Sequence, residues 1–89
     1  MNFTKSDIAI LSQIEREGGV NKLQSVTVHN IIEKSGLSAT KVRATLKLLA
    51  DANYIEDGYM QKNAKTYYIT DAGIKFLQEL GCPVVSVIN

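Results

Sequence analysis

The residues able to do chemistry in this chain are cations, and they are gathered in one stretch. Lys34, Lys41, Arg43 and Lys47 fall between positions 34 and 47 with no acidic residue among them. The whole chain carries ten Lys and Arg against nine Asp and Glu, a net charge of +1, so everything outside that stretch sums to −3. Positive charge concentrated in this way suits a polyanion. Phosphates attract Lys and Arg, and the major groove of double-stranded DNA admits a single helix. A second acid-free group, Lys62, Asn63 and Lys65, lies further on. Other chemistries find no support. His29 and Cys82 are the only residues of their kinds and stand far apart, which gives neither a zinc-site spacing nor a nucleophile–base signature. Gly18-Gly19 lacks the pattern of a phosphate-binding loop. No catalytic residue, metal or cofactor is expected.

The elements that must carry these groups follow from periodicity and capping. Ser6 is a candidate cap for a first helix, with Thr4 as the other candidate and Asp7 three residues beyond it. Ile8, Leu11 and Ile14, with Ile10 beside them, form its inner face, and Ser12, Gln13, Glu15 and Arg16 its wet face. Gly18-Gly19 end it. Residues 20–26 are ambiguous, with a short strand plausible near Ser25–Val26. Thr27 caps a second helix, Val28 to Ser35, whose inner face is Val28, Ile31 and Ile32. Gly36-Leu37 break it. Ser38 caps a third helix, from Ala39 to about Ala52, with Val42, Leu46 and Leu49 inward and Leu48 at the flank. Asn53 ends that helix, and a positive φ is predicted there. The period then changes to two. Residues 54–60 read as a strand bent at Gly58, residues 61–65 as a polar tip, and Thr66–Ile69 as the returning strand. Thr70 caps a last helix, Asp71 to Leu80, with Ile74, Leu77 and Leu80 inward, and Gly81 and Pro83 prevent its continuation.

This order, α-β-α-α-β-β-α followed by a short apolar C-terminal tail, is an α+β helix-turn-helix with a wing. In it the third helix (residues 39–52) faces the major groove. Ser38, Ala39, Thr40, Lys41, Arg43, Ala44 and Lys47 occupy its outward face or first turn. Small Ser38, Ala39 and Ala44 permit close approach, Arg43 can reach guanine bidentately, and Lys41 and Lys47 hold phosphates. The N–H groups at either helix start, including that capped by Thr27, can also take phosphate. Wing residues 60–66, through Lys62, Asn63 and Lys65, reach the backbone or the minor groove. Strand residues Tyr59, Tyr67 and Tyr68 are expected to pack on the core or its rim rather than stack on bases.

At 89 residues and 45% hydrophobic side chains, the chain has room for one domain and one core. A single cysteine forms no internal disulfide, which fits a reducing cytoplasm. No apolar run reaches the roughly 20 residues of a membrane span, and the N-terminus lacks a signal-peptide core. The stretch Val84–Ile88 is β-branched and apolar, and is expected to pair with another strand or cover a subunit interface.

Ser35-Gly36-Leu37-Ser38, Lys41-Val42-Arg43, Leu46-Lys47-Leu48-Leu49 and Tyr54-Ile55 resemble the helix-turn-helix of MarR-like and related winged-helix DNA-binding proteins. Residues 67–73 resemble the end of their wing and the opening of the next helix, so the resemblance spans about residues 6–80. Asn53 stands where that family usually has Gly. MarR-type regulators also carry long dimerisation helices around a ligand pocket, for which this length leaves no room. The compact size is similar to TubR-like proteins, winged-helix adaptors that couple plasmid or phage centromere repeats to a tubulin-like, filament-forming GTPase. A DNA-binding homodimer is expected, because one 89-residue module buries limited DNA surface, with the first helix, the last helix and the tail as its interface. It acts either as a small transcriptional regulator or as such a partition adaptor. A winged-helix protein–protein module is the third reading, against which Lys41, Arg43 and Lys47 speak.

Overall fold

The computed structural model describes residues 3–81. Along them stand α1 (Lys5–Arg16), β1 (Val26–Thr27), α2 (Val28–Ser35), α3 (Ala39–Asp51), β2 (Ile55–Asp57), β3 (Thr66–Ile69) and α4 (Asp71–Glu79). The element order is the one the sequence predicts, an α+β winged helix. The tail expected to cover an interface, residues 83–89, and Cys82 lie outside the described residues.

Each helix starts on a hydroxyl. The side chains of Thr4, Thr27, Ser38 and Thr70 accept the backbone N–H of Asp7, Asn30, Lys41 and Gly73, at 3.1–3.2 Å. Such caps satisfy donors that the first helical turn leaves without partners. Ser6 is therefore not the cap of α1. Thr4 takes that place because Asp7 returns a bond from its carboxylate to the Thr4 N–H, closing a capping box that Ser6 could not form. Asn53 has the predicted positive φ, 65°, where the chain leaves α3, and Gly36 (φ 72°) ends α2.

Ile10, Leu11 and Ile14 of α1 are buried with Ile31 of α2, Val42, Leu46 and Leu49 of α3, Leu77 of α4, and Val26, Ile55, Tyr67 and Ile69 of the sheet. Several expectations about faces are corrected. Glu15, assigned to the wet face, is buried, because it stands one helical turn beyond Leu11 on the inward row. Leu80, assigned inward, is 48% exposed, because α4 ends at Glu79 and Leu80 falls on the cap beyond it. Ile8, like Val28 and Ile32 of α2 and Ile74 of α4, is only partly buried at the edge of the core. The patterning also missed an aromatic trio. Phe3, Tyr54 and Phe76 meet with ring centroids 4.6–5.6 Å apart, joining the N-terminal segment to the α3–β2 turn and to α4.

The three-stranded antiparallel sheet has β3 at its centre, in the order β1-β3-β2. Val26 faces Tyr67 on one side, and Ile55 faces Ile69 on the other. β2 is shorter than the predicted 54–60. At Gly58 the backbone crosses over toward β1, so close that a Cβ there would collide with Ser25 and Thr66. The Ser25 hydroxyl donates to Thr66 Oγ1 (2.9 Å), which donates to the Tyr59 carbonyl (2.8 Å), while Tyr59 N–H reaches the Lys22 carbonyl (3.0 Å). The ambiguous residues before β1 form a turn around Asn21, whose side-chain oxygen accepts from Leu23 and Gln24 N–H.

Two close contacts fix how the helices sit. Gly73 brings α4 against the backbone of Tyr54, where a Cβ would strike the Tyr54 carbonyl oxygen and the Ile69 side chain. Asp7, 4% exposed, ties α1 to α3: its Oδ1 accepts the Thr45 hydroxyl at 2.8 Å, 38 positions away. Burial pushes the Asp7 carboxyl up. The Thr4 N–H and the Thr45 hydroxyl, with the charge of Lys41, outweigh burial and hold it below its ordinary 3.8.

Gly73→Ala is expected to destabilise the fold by about 1–3 kcal/mol in chemical denaturation, the overpacking cost exceeding the helix-propensity gain of about 1 kcal/mol. Because the folded-state pKa of Asp7 is depressed, its contribution is intact above pH 3.8 and is lost as pH falls through the lower folded value. The melting temperature of the wild type should therefore drop below about pH 4. Asp7→Asn should flatten that drop, as followed by circular dichroism.

Candidate nucleic-acid interface

α3 presents its outward face because its inward row is filled. Val42, Thr45, Leu46 and Leu49 are buried, which leaves Thr40, Lys41, Arg43, Ala44 and Lys47 exposed. Ala39 is half-buried in the first turn. Thr27 and Ser38 spend their hydroxyl oxygens on the caps of α2 and α3, so what they offer a ligand is the start of a helix rather than a free acceptor.

The cations divide into two groups by their surroundings. Arg43 and Lys47 line a cleft of about 620 Å3 between α3 and the wing, with Leu46, Val28, Ala64 and Tyr67 among its apolar walls. Among the described residues neither is in an ion pair. Lys65 lines the same cleft from the wing side, so the structure brings Arg43, Lys47 and Lys65 together. Lys41 points elsewhere, with its Nζ 4.0 Å from the Asp7 carboxylate. Lys34, the first cation of the basic stretch, is held by Glu17 at 3.0 and 3.2 Å.

The wing is a tight hairpin. Gln61 and Ala64 exchange backbone hydrogen bonds (3.1 and 2.7 Å), and the two residues between them, Lys62 and Asn63, have φ of 49° and 67°. Two central residues with positive φ are the signature of a type I′ turn, whose twist matches that of the flanking strands. Lys62 and Asn63 are exposed at its tip. Lys65 is tethered at its root, 3.8 Å from Asp57 and 5.3 Å from the Tyr67 ring centre. Contact with Tyr67, and then the Asp57 charge, raise its pKa above 10.5, so it stays cationic. Of the wing tyrosines, Tyr67 packs in the core, and Tyr68 donates to Glu56 at 3.0 Å. Tyr59 is 59% exposed beside exposed Met60, contrary to the expectation that it would pack, because the crossing at Gly58 lifts it off the sheet.

Asp7 and Thr45 are the residues that the sequence reading missed. The spacing of Thr4 and Asp7 announces the capping box, but nothing local announces that the same carboxylate meets α3. His29, the lone histidine, is exposed and pairs with Glu33 one turn on, at 2.8 Å. Among the described residues no group of His, Cys, Asp and Glu could hold a metal ion, and no helix is long and apolar enough to cross a membrane.

No protein-family model matches the sequence. The DNA-binding protein TubR of the Clostridium botulinum C phage is 30% identical over 80 residues, which cover 90% of this chain and 99% of that protein. Among solved structures, TubR from Bacillus megaterium pBM400 shares the fold with a TM-score of 0.80 at 20% identity, over 89% of this chain and 87% of the other. The zinc-responsive MarR family member ZitR of Lactococcus lactis shares the fold with a TM-score of 0.73 at 19% identity, over 91% of this chain and 53% of its own longer one. The MarR-like resemblance is thus one of fold, and the relation in sequence over nearly the full length of both partners is to TubR. The chain belongs to the TubR family of DNA-binding proteins.

Proposed function

We propose that this protein binds double-stranded DNA as a homodimer, with α3 in the major groove and the wing on the backbone or in the minor groove. The observation that carries this reading is the exposed Arg43–Lys47 face on a helix-turn-helix, without ion pairs among the described residues, with Lys65 across the same cleft. Helix, cleft and wing together offer cations at two heights, which suits a groove floor and its flanking phosphates. One module of this size buries little DNA surface, and two copies on paired half-sites reach operator affinity. The reading is one of binding and assigns no catalysis.

Membership of the TubR family favours the partition role over that of a stand-alone transcriptional regulator. In that role the protein marks repeated DNA sites for a tubulin-like, filament-forming GTPase. Repeated upstream sites and a neighbouring gene for such a GTPase support the adaptor, whereas a single upstream operator supports the regulator.

Fluorescence anisotropy of labelled duplexes at several salt concentrations tests the interface. Arg43→Ala/Lys47→Ala should weaken binding at least tenfold and lower the log–log salt slope by about 1, for the Lys47 phosphate contact, while loss of the Arg43 base contact relaxes sequence preference. An unchanged slope with an unchanged preference would sink the assignment of these two residues. Residues 83–89, outside the described structure, are proposed to contribute to the dimer. Their deletion should shift the mass in light scattering toward monomer, and an unchanged dimer mass overturns that part.

A further inference from the structure

Asp7 is an acid buried against the basic helix. Its Oδ2 accepts the Thr4 N–H at 3.0 Å, which closes the α1 cap. Its Oδ1 accepts the Thr45 hydroxyl at 2.8 Å and lies 4.0 Å from Lys41 Nζ. Lys41 and Thr45 are one helical turn apart, so one carboxylate grips two successive turns of α3 on the same row. A lysine in a first turn faces the positive end of the helix dipole, where a cation is disfavoured, and a carboxylate beside it offsets that cost. The arrangement singles out Lys41. Arg43 and Lys47 face the cleft without ion pairs among the described residues, while Lys41, 44% exposed, is drawn back toward α1.

From this we infer that Asp7 is a positioning residue that restrains DNA affinity, holding Lys41 against α1 and away from the phosphate backbone. The inference rests on the DNA-binding reading above. Its physical content is a count of charges. Each cation that meets a phosphate adds one unit of counterion release, sequence-independent and salt-sensitive. A lysine neutralised by a buried neighbour adds little. Arbitrary duplex is then held by fewer cations than the basic stretch contains, and base-edge contacts from α3 account for a larger share of binding.

The test is a four-protein cycle on random-sequence duplex: wild type, Asp7→Asn, Lys41→Ala and the double variant, each titrated over a range of salt. Asn removes the charge and keeps one oxygen, for the Thr4 N–H, while its NH2 stands in place of Oδ1 and can donate to Thr45 Oγ1, reversing that bond. Asp7→Asn should tighten binding about threefold or more at low salt and steepen the log–log slope by about one. In the Lys41→Ala background the same change should do neither. A purely structural Asp7 predicts the opposite, because loosening α3 weakens binding whether or not Lys41 is present. Unchanged or weaker binding by a folded Asp7→Asn therefore overturns the inference.

Should Asp7→Asn fail to fold, carboxyl-resolved NMR titration replaces it. Lys41→Ala should raise the Asp7 pKa, and an unmoved pKa overturns the proposed pairing. If the wild type binds with a slope that Arg43→Ala/Lys47→Ala reduces, yet Asp7→Asn has no effect, only this inference fails. If the wild type binds no duplex at low salt, the DNA-binding reading fails and takes this one with it.

Discussion

The inward row of α1 is the surface on which the other elements are assembled. Ile10, Leu11 and Ile14 are buried, and α1 packs against α2, α3, α4 and β3. α2 has eight residues and α4 nine, lengths at which an isolated helix does not persist in water. They exist because the α1 row and the sheet residues Ile55, Tyr67 and Ile69 give their apolar faces something to cover. α3 is held from behind by this core and by the Asp7–Thr45 bond, so its outward face is presented by contacts that are almost all on the other side. A ligand can then meet Thr40, Arg43, Ala44 and Lys47 without disturbing what positions them.

Features with local causes were legible in the sequence. The hydroxyl caps at Thr27, Ser38 and Thr70, the left-handed Asn53, the inner faces of α2 and α3 and the change of period at the hairpin all depend on residues within a turn or two of one another. Features set by distant partners were not legible. β2 stops at Asp57 because Ser25 and Thr66 crowd Gly58. Phe3, Tyr54 and Phe76 are spread over the chain and meet only when α4 docks on the α3–β2 turn. The same division runs through the candidate interface. Composition located the basic helix, but Lys41 and Lys47 read alike, as phosphate contacts, until Asp7 is placed beside one of them.

The wing shows a comparable separation of duties. Lys62 and Asn63 adopt a backbone conformation that side chains other than Gly enter at a cost, tolerated because the turn must match the strand twist. The tip therefore projects two polar side chains on a stiff support. Lys65, fixed between Asp57 and Tyr67, keeps its charge at the root, where it faces Arg43 and Lys47 across the cleft. Tyr59 and Met60 stand exposed on the segment between β2 and the tip, so the leading edge of the wing is amphipathic rather than simply basic.

The lopsided charge has a collective consequence. With +4 between residues 34 and 47 and −3 elsewhere, the molecule is close to neutral yet strongly polar. The field of a polyanion turns a molecule of this kind so that its basic stretch leads. Once seated, it adds almost no net charge to its flank. Molecules standing side by side on adjacent sites then feel little mutual repulsion, and at physiological salt what remains is screened within about 8 Å. A uniformly basic protein of the same size would feel more repulsion between neighbouring copies than this nearly neutral one.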